Sequence, residues 1–324
     1  MFRAAMMFGL LGLLLAVGLI VWQGYAQVLA AFAAAGWGIL WANLFHLLPL
    51  VMASYAWILL WPGHKRPSLA AMSYVMWVRV GINNLLPVAR IGGEVAAARL
   101  LIKQGWRRGP AIASTVVETT VSVVTVFIMI VSGIMLLTMH DPATATLTRL
   151  VAGALFSLPL IALLLAVQRY GLFSFLARLA HRMTGSRWQG LMQDTARLDR
   201  AVLCLYRRWG QLLHSTVWML LSWYLSAGGI WLALQFLGHP LPFTDCVIIE
   251  SMIQLVSSAA FIMPAALGVQ EGAFLFFGGL LGLPAETALA LALIRRCRDL
   301  ILFVPALVVW GLQEGKGLLG VRTV

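Results

Sequence analysis

The stretch Pro264-Ala-Ala-Leu-Gly-Val-Gln-Glu271-Gly272 lies inside an apolar run. It brings a helix breaker, two glycines and a carboxylate together in a place where a continuous membrane span is not expected to combine them. An earlier stretch, Pro87-Val-Ala-Arg-Ile-Gly-Gly-Glu94, has the same plan: Pro, six residues, Glu, with glycine between. The prolines (87 and 264) and the glutamates (94 and 271) are each 177 positions apart. Two charged, Gly/Pro-interrupted apolar segments at corresponding places point to the binding site of a transporter built from two membrane-embedded halves.

Composition sets the solvent. The 324 residues are 61% hydrophobic and 10% charged, against about 25% charged in a soluble domain. The chain is therefore expected to be a single integral membrane domain over 1–324, counted in spans of about 20 residues. The net charge of +12 is concentrated in a few connections. That is the pattern of membrane topology, and no nucleic-acid partner is expected. Cys204, Cys246 and Cys297 have no metal or disulfide spacing, and the six histidines are scattered. Neither a nucleophile elbow nor a phosphate loop is present. No cofactor and no enzymatic activity are expected.

The order of segments predicts an all-α polytopic membrane protein with six full spans plus two re-entrant helical hairpins, eight or more membrane segments in all. The spans fall at 4–22, 37–61, 111–138, 147–168, 213–237 and 287–312, and the hairpins at 68–102 and 244–283. Arg3 and the apolar run to Trp22 read as an uncleaved first helix. Trp37, Trp41, Trp57 and Trp61 read as interfacial anchors of the second span. Lys65 and Arg66 precede the first hairpin, and Lys103, Arg107 and Arg108 follow it, so both its ends are placed inside. The turns at 238–242 and 282–284 lack Lys and Arg, so the second hairpin is placed with both ends outside.

Opposite sidedness makes the halves inverted-topology repeats, about 37–138 and about 214–315. A shift of 177 also aligns Trp41 with Trp218, Gly105 with Gly282 and Glu118 with Arg295. The connection at about 169–208 carries Arg169, Arg178, Arg182, Arg187, Arg197, Arg200, Arg207 and Arg208. It reads as an amphipathic helix on the cytoplasmic leaflet. Both termini are placed in the cytoplasm of a bacterial inner membrane.

An ionisable group at bilayer centre costs at least about 2.5–3.5 kcal/mol, so the intramembrane charges must converge on each other or on water. The expected substrate-binding set is Glu94, Glu271, Arg90, Arg295, Arg296, Glu118, Arg298, Asn84 and Gln270, lining one central polar cavity. Glu94 and Glu271 should stand near the N-termini of the restarted arms, where the helix dipole favours anions. The arginines suit a phosphate or carboxylate, and the glutamates suit a hydroxyl, an amine or a proton. The competing reading is that Glu–Arg pairs only pin the hairpins. It is the preferred one for Arg79, Glu250 and Asp299, while His46 and Cys246 read as packing residues.

The motifs Leu-Pro-x-x-x-x-Gly-Gly-Glu-x4-Arg (Leu86 to Arg99) and Pro-x-x-Leu-Gly-Val-Gln-Glu-Gly (Pro264 to Gly272) resemble the lysylphosphatidylglycerol synthase transmembrane-region family, over nearly the whole chain. Within it, Pro264 to Phe274, Ala288 to Leu300 and the Val309-Trp-Gly-Leu-Gln-Glu314 segment are most similar to hopanoid-biosynthesis-associated membrane proteins. The resemblance implies a flippase-like inner-membrane protein with a lipid substrate, hopanoid or phospholipid-like; homodimer formation is left open. Many members have Glu-Arg and then an acidic residue after the first motif. Here Glu118 is followed by Thr119 and Thr120, so no role of that Arg transfers. The soluble aminoacyl-transferase domain of synthase members has no counterpart in these residues, so lysyl transfer is not expected of them. The expected function is lipid transport; the alternative is a membrane enzyme or assembly partner in hopanoid or phospholipid synthesis.

Overall fold

The structure, a computed structural model, describes residues 30, 36–63, 65–86, 92–140, 189–259 and 268–318. Within these residues every regular element is a helix: α1 (Gly38–Phe45), α2 (Leu47–Leu59), α3 (Leu69–Leu85), α4 (Gly92–Lys103), α5 (Arg108–His140), α6 (Gln189–Tyr206), α7 (Trp209–Phe236), α8 (Phe243–Ala259), α9 (Val269–Leu280) and α10 (Ala285–Leu318). The proposed spans at 4–22 and 147–168, the two breaks with Pro87, Arg90 and Pro264, and residues 169–188 lie outside the described residues.

Among the described residues, three stretches are long and apolar enough to cross a membrane: 38–59, covering α1 and α2, then 108–139 in α5 and 209–236 in α7. The chain is a multi-pass helical membrane protein on that ground. The sixth expected span falls within α10, which is 34 residues long but carries Arg295, Arg296, Arg298 and Asp299 in its first half. Such a helix cannot turn that face to lipid.

Local chemistry explains the helix ends. Ser68 caps α3, its Oγ accepting the Ala71 N–H at 3.3 Å. The 38–59 stretch is split at His46, three residues before Pro49. Pro49 has no N–H for the Phe45 carbonyl, and the ladder tightens there, with His46 N donating to Asn43 O at 3.1 Å. After α4, Gly105 takes φ +90° and Trp106 N donates to Leu101 O. After α9, Gly282 takes φ +80° and Leu283 N donates to Gly278 O. Each atom of the second turn lies 177 residues beyond its counterpart. Both are left-handed C-caps of the kind glycine allows.

Several helix boundaries keep the same offset, although α3 and α8 are offset by 174 residues at both ends. α4 covers 92–103 and α9 covers 269–280; α5 starts at 108 and α10 at 285; α2 ends at 59 and α7 at 236. Packing is crossed between the halves. α3 lies against α10, with Trp77 Nε1 donating to Leu302 O at 2.5 Å and Gly81 against Phe303 and Ala306. α8 lies against α5, with Ser251 against Gly133. The far part of each long helix thus completes the other half's core. Ile130 and Ile134 of α5 are buried with Ile249 and Met252 of α8, and Leu302 and Phe303 of α10 with Met72 and Val75 of α3.

Two expectations are corrected. Trp37 and Trp41 are exposed, as interfacial anchors would be, but Trp57 and Trp61 are fully buried. Trp57 lies under the Arg79 guanidinium, 5.2 Å from the ring centroid, and Trp61 packs edge-on against Trp106. The described part of the basic connection, α6, is amphipathic, but its apolar side meets protein rather than lipid: Val202 and Leu205 are buried with Val117 and Val121 of α5.

Candidate functional site

The first cluster forms where α3 meets the start of α4. Asn83, near the end of α3, accepts the Gly93 N–H on Oδ1 at 2.9 Å and donates from Nδ2 to Glu94 Oε1 at 3.3 Å. It caps the restarted helix from across the break. A Cβ on Gly93 would lie 2.5 Å from Arg79 O and from Asn83 Oδ1, so this approach requires glycine. Glu94 then falls in the first turn of α4, where the helix dipole favours a carboxylate. Arg79 of α3 holds Glu94 Oε2 from Nε at 2.7 Å and Glu118 Oε2 of α5 from Nη1. Thr119 Oγ1 accepts from Arg79 Nη2 at 3.3 Å and has one proton to share between Glu94 Oε2 at 3.0 Å and Thr115 O at 2.9 Å. One guanidinium, stacked on Trp57, serves two carboxylates.

The second cluster is built from α8, α9 and α10. Glu271, in the first turn of α9, accepts from Arg296 Nε at 2.8 Å and from Nη2 at 3.2 Å. Glu250 of α8 accepts from Arg295 Nη1 at 2.6 Å and Nη2 at 3.3 Å, and from Gln254 Nε2 at 2.8 Å. Arg298 donates to Asp299 Oδ1 from Nε at 3.1 Å and Nη2 at 2.7 Å. Gln270 Nε2 donates to Ser257 Oγ at 2.8 Å and so ties α9 back to α8. Taking these ions out of water costs several kcal/mol each, and only close, multiply bonded pairs offset it.

A cavity of about 30 Å³ opens beside the second cluster. α1 and its cap contribute Asn43 and His46, α7 contributes Ser226, α8 contributes Glu250, and α10 contributes Arg295 and Arg298. Asn43 Nδ2 and Arg295 Nε are buried there without a hydrogen-bond partner. A buried unpaired donor costs about 1–3 kcal/mol.

The expected site residues therefore divide. Glu94 and Glu118 are joined through Arg79, and Glu271 joins Arg296. Arg295 and Arg298 line the cavity. Gln270 bridges two helices; Asn84 is half-buried and makes no side-chain hydrogen bond; Arg90 lies outside the described residues. Glu94 and Glu271 stand in separate clusters, and among the described residues no hydrogen bond or ion pair joins the two. Each is held by an arginine, which is the geometry the pinning reading requires.

Sequence reasoning missed Asn43, His46, Ser226 and Thr119, and took Glu250 as structural. One signal was present: Asn43 is a lone amide within the apolar 38–59 stretch. For Thr119 and Ser226 there was none, because single hydroxyls are common in apolar helices and here also bond their own backbone.

No curated protein and no solved structure matches the chain. A family model does, that of the lysylphosphatidylglycerol synthase TM region, over residues 9–306. The match covers both interrupted helix pairs and both ion-pair clusters, and by it this multi-pass helical protein belongs to that family, whose membership supports a membrane-lipid-related function.

Proposed function

We propose that the protein is an inner-membrane lipid transporter of the flippase type, moving hopanoid or a related polar-headed lipid, with both termini cytoplasmic. The observation that carries this reading is the crossed packing of the two halves, α3 on α10 and α8 on α5. In such a frame the halves can rock against each other about a shared middle, as in transporters built from inverted repeats. On this reading α3–α4 and α8–α9 are re-entrant hairpins that enter from opposite sides of the bilayer. The lipid's headgroup passes along the charged clusters while its apolar body stays in the membrane. Thr119, Glu94 and Glu271 offer acceptors and hydroxyls to a headgroup, and Arg79 and Arg296 fix the carboxylates in place. The driving force is an ion gradient or a downstream acceptor of the lipid.

The test is lipid movement in liposomes reconstituted with the folded protein, using a hydroxyl-headed lipid with a fluorescent tail. Transbilayer exchange well above that of empty liposomes is expected. The pair Glu271→Gln with Arg296→Met should keep the fold, because it removes both charges together, and should abolish exchange. Exchange no faster than in empty liposomes would remove the transport reading; exchange at full rate in the neutral pair would make that ion pair structural. A deletion strain separates the alternative: transport predicts a normal amount of lipid in the wrong membrane, whereas an enzyme or assembly partner predicts loss of the product.

A further inference from the structure

We propose that the cavity beside α1 binds the adjacent hydroxyls of an uncharged polyol headgroup, a substrate class that rests on the transport reading. The chemistry of the lining selects it by elimination. Asn43 Nδ2 and Arg295 Nε are both donors, both buried and both without a partner, so the missing group is an acceptor. Asn43 is only 2% exposed, which makes replacement of that partner by bulk water poor.

A cation does not fit, because both oxygens of Glu250 already accept from Arg295 and Gln254. An extra anion does not fit either. Arg295, Arg296 and Arg298 are matched by Glu250, Glu271 and Asp299, so the charges of these described pairs cancel. A buried anion would then stand uncompensated.

A hydroxyl meets each demand. Its oxygen accepts from Asn43 or Arg295. Its proton has a receiver in the His46 ring, which makes no hydrogen bond and only an edge contact with Phe303. The cavity of about 30 Å³ takes about two oxygen-sized groups, which suits neighbouring hydroxyls of one headgroup.

The experiment uses the full chain in phosphatidylcholine nanodiscs, with lipid retention read by native mass spectrometry. The probes are monoglucosyl diacylglycerol, phosphatidic acid and free glucose. Wild type should retain the glucolipid about tenfold better than phosphatidic acid, and Asn43→Leu should lose about tenfold of that preference. Its melting temperature without probe should not fall, because the substitution removes an unpaired donor. Should Asn43→Leu fail to fold, Asn43→Asp, which keeps the shape and loses the donor, should show the same loss. Preference for phosphatidic acid, or glucolipid binding unchanged in Asn43→Leu and Asn43→Asp, overturns the proposal; the second result means the cavity holds water. Free glucose competing at equal affinity would assign the site to a soluble polyol and overturn the lipid assignment. Selective binding without lipid movement in liposomes leaves the site and removes transport. Lipid movement without selective binding leaves transport and removes the site.

Discussion

The two halves place charge at the same point of the frame and wire it differently. Glu118 of α5 and Arg295 of α10 are 177 residues apart, and each bonds an opposite charge on the helix before the break of its own half: Arg79 on α3, Glu250 on α8. In the first half one arginine holds two carboxylates, with Thr119 filling in. In the second, three arginines each have a carboxylate. The approach of the paired helices differs as well. Position 93 must be glycine, whereas the equivalent Gln270 has room for its side chain and reaches Ser257. The two halves thus share turns while their polar contacts diverge, because turns depend on a few local residues and buried charges need only be balanced somewhere.

The largest effect should come from the shared guanidinium. Arg79→Leu strands the buried Glu118 and the part-buried Glu94, and breaking even one buried pair costs about 3–5 kcal/mol. Little folded protein should survive detergent extraction. Arg296→Leu strands one and should sit at the low end of that range, with folded protein recovered at a reduced melting temperature. Equal losses for the two would break the contrast between the halves. If it holds, the triple change Arg79→Met, Glu94→Gln, Glu118→Gln should recover most of what Arg79→Leu loses, since replacing a whole buried ionic group is often near neutral.

Next comes the helix approach. Gly93→Val should cost about 1–3 kcal/mol by overpacking against Arg79 O and Asn83. Gln270→Gly should cost about 1 kcal/mol, for the lost bond to Ser257 and for glycine in a helix. Thermal unfolding of both in one detergent measures the difference, and a reversed order would show that the two helix pairs approach alike.

The smallest effects should be the equal ones. Gly105→Ala and Gly282→Ala each place a side chain in the left-handed region, at φ +90° and +80°, for about 1–2 kcal/mol. The two melting-temperature shifts should agree. A clear disagreement would mean that the turns are matched in form but not in environment.

Much of the frame was legible because it is local. Gly105 and Gly282 mark the turns, whereas the split at His46 is not legible in 37–61, which reads as one span. The offset of 177 aligns α4 with α9 to the residue at both ends, and α5 with α10 at their starts. That Glu94 and Glu271 stand in first turns follows from their distance past the breaks. The tryptophans show the limit: Trp41 and Trp57 look alike in sequence, and one is exposed while the other lies under Arg79.

What the chain decided by itself is its solvent, its helices and its matched turns, since hydropathy, proline and glycine act within a turn or two of where they stand. What tertiary structure alone decided is partnership: Arg79 with both Glu94 and Glu118, Glu250 with Arg295, and Asn43 and Arg295 left facing a cavity. Side chains 39 and 45 residues apart meet only through the rotation and crossing of packed helices. Those depend on core contacts exchanged between the two halves rather than on any stretch of sequence.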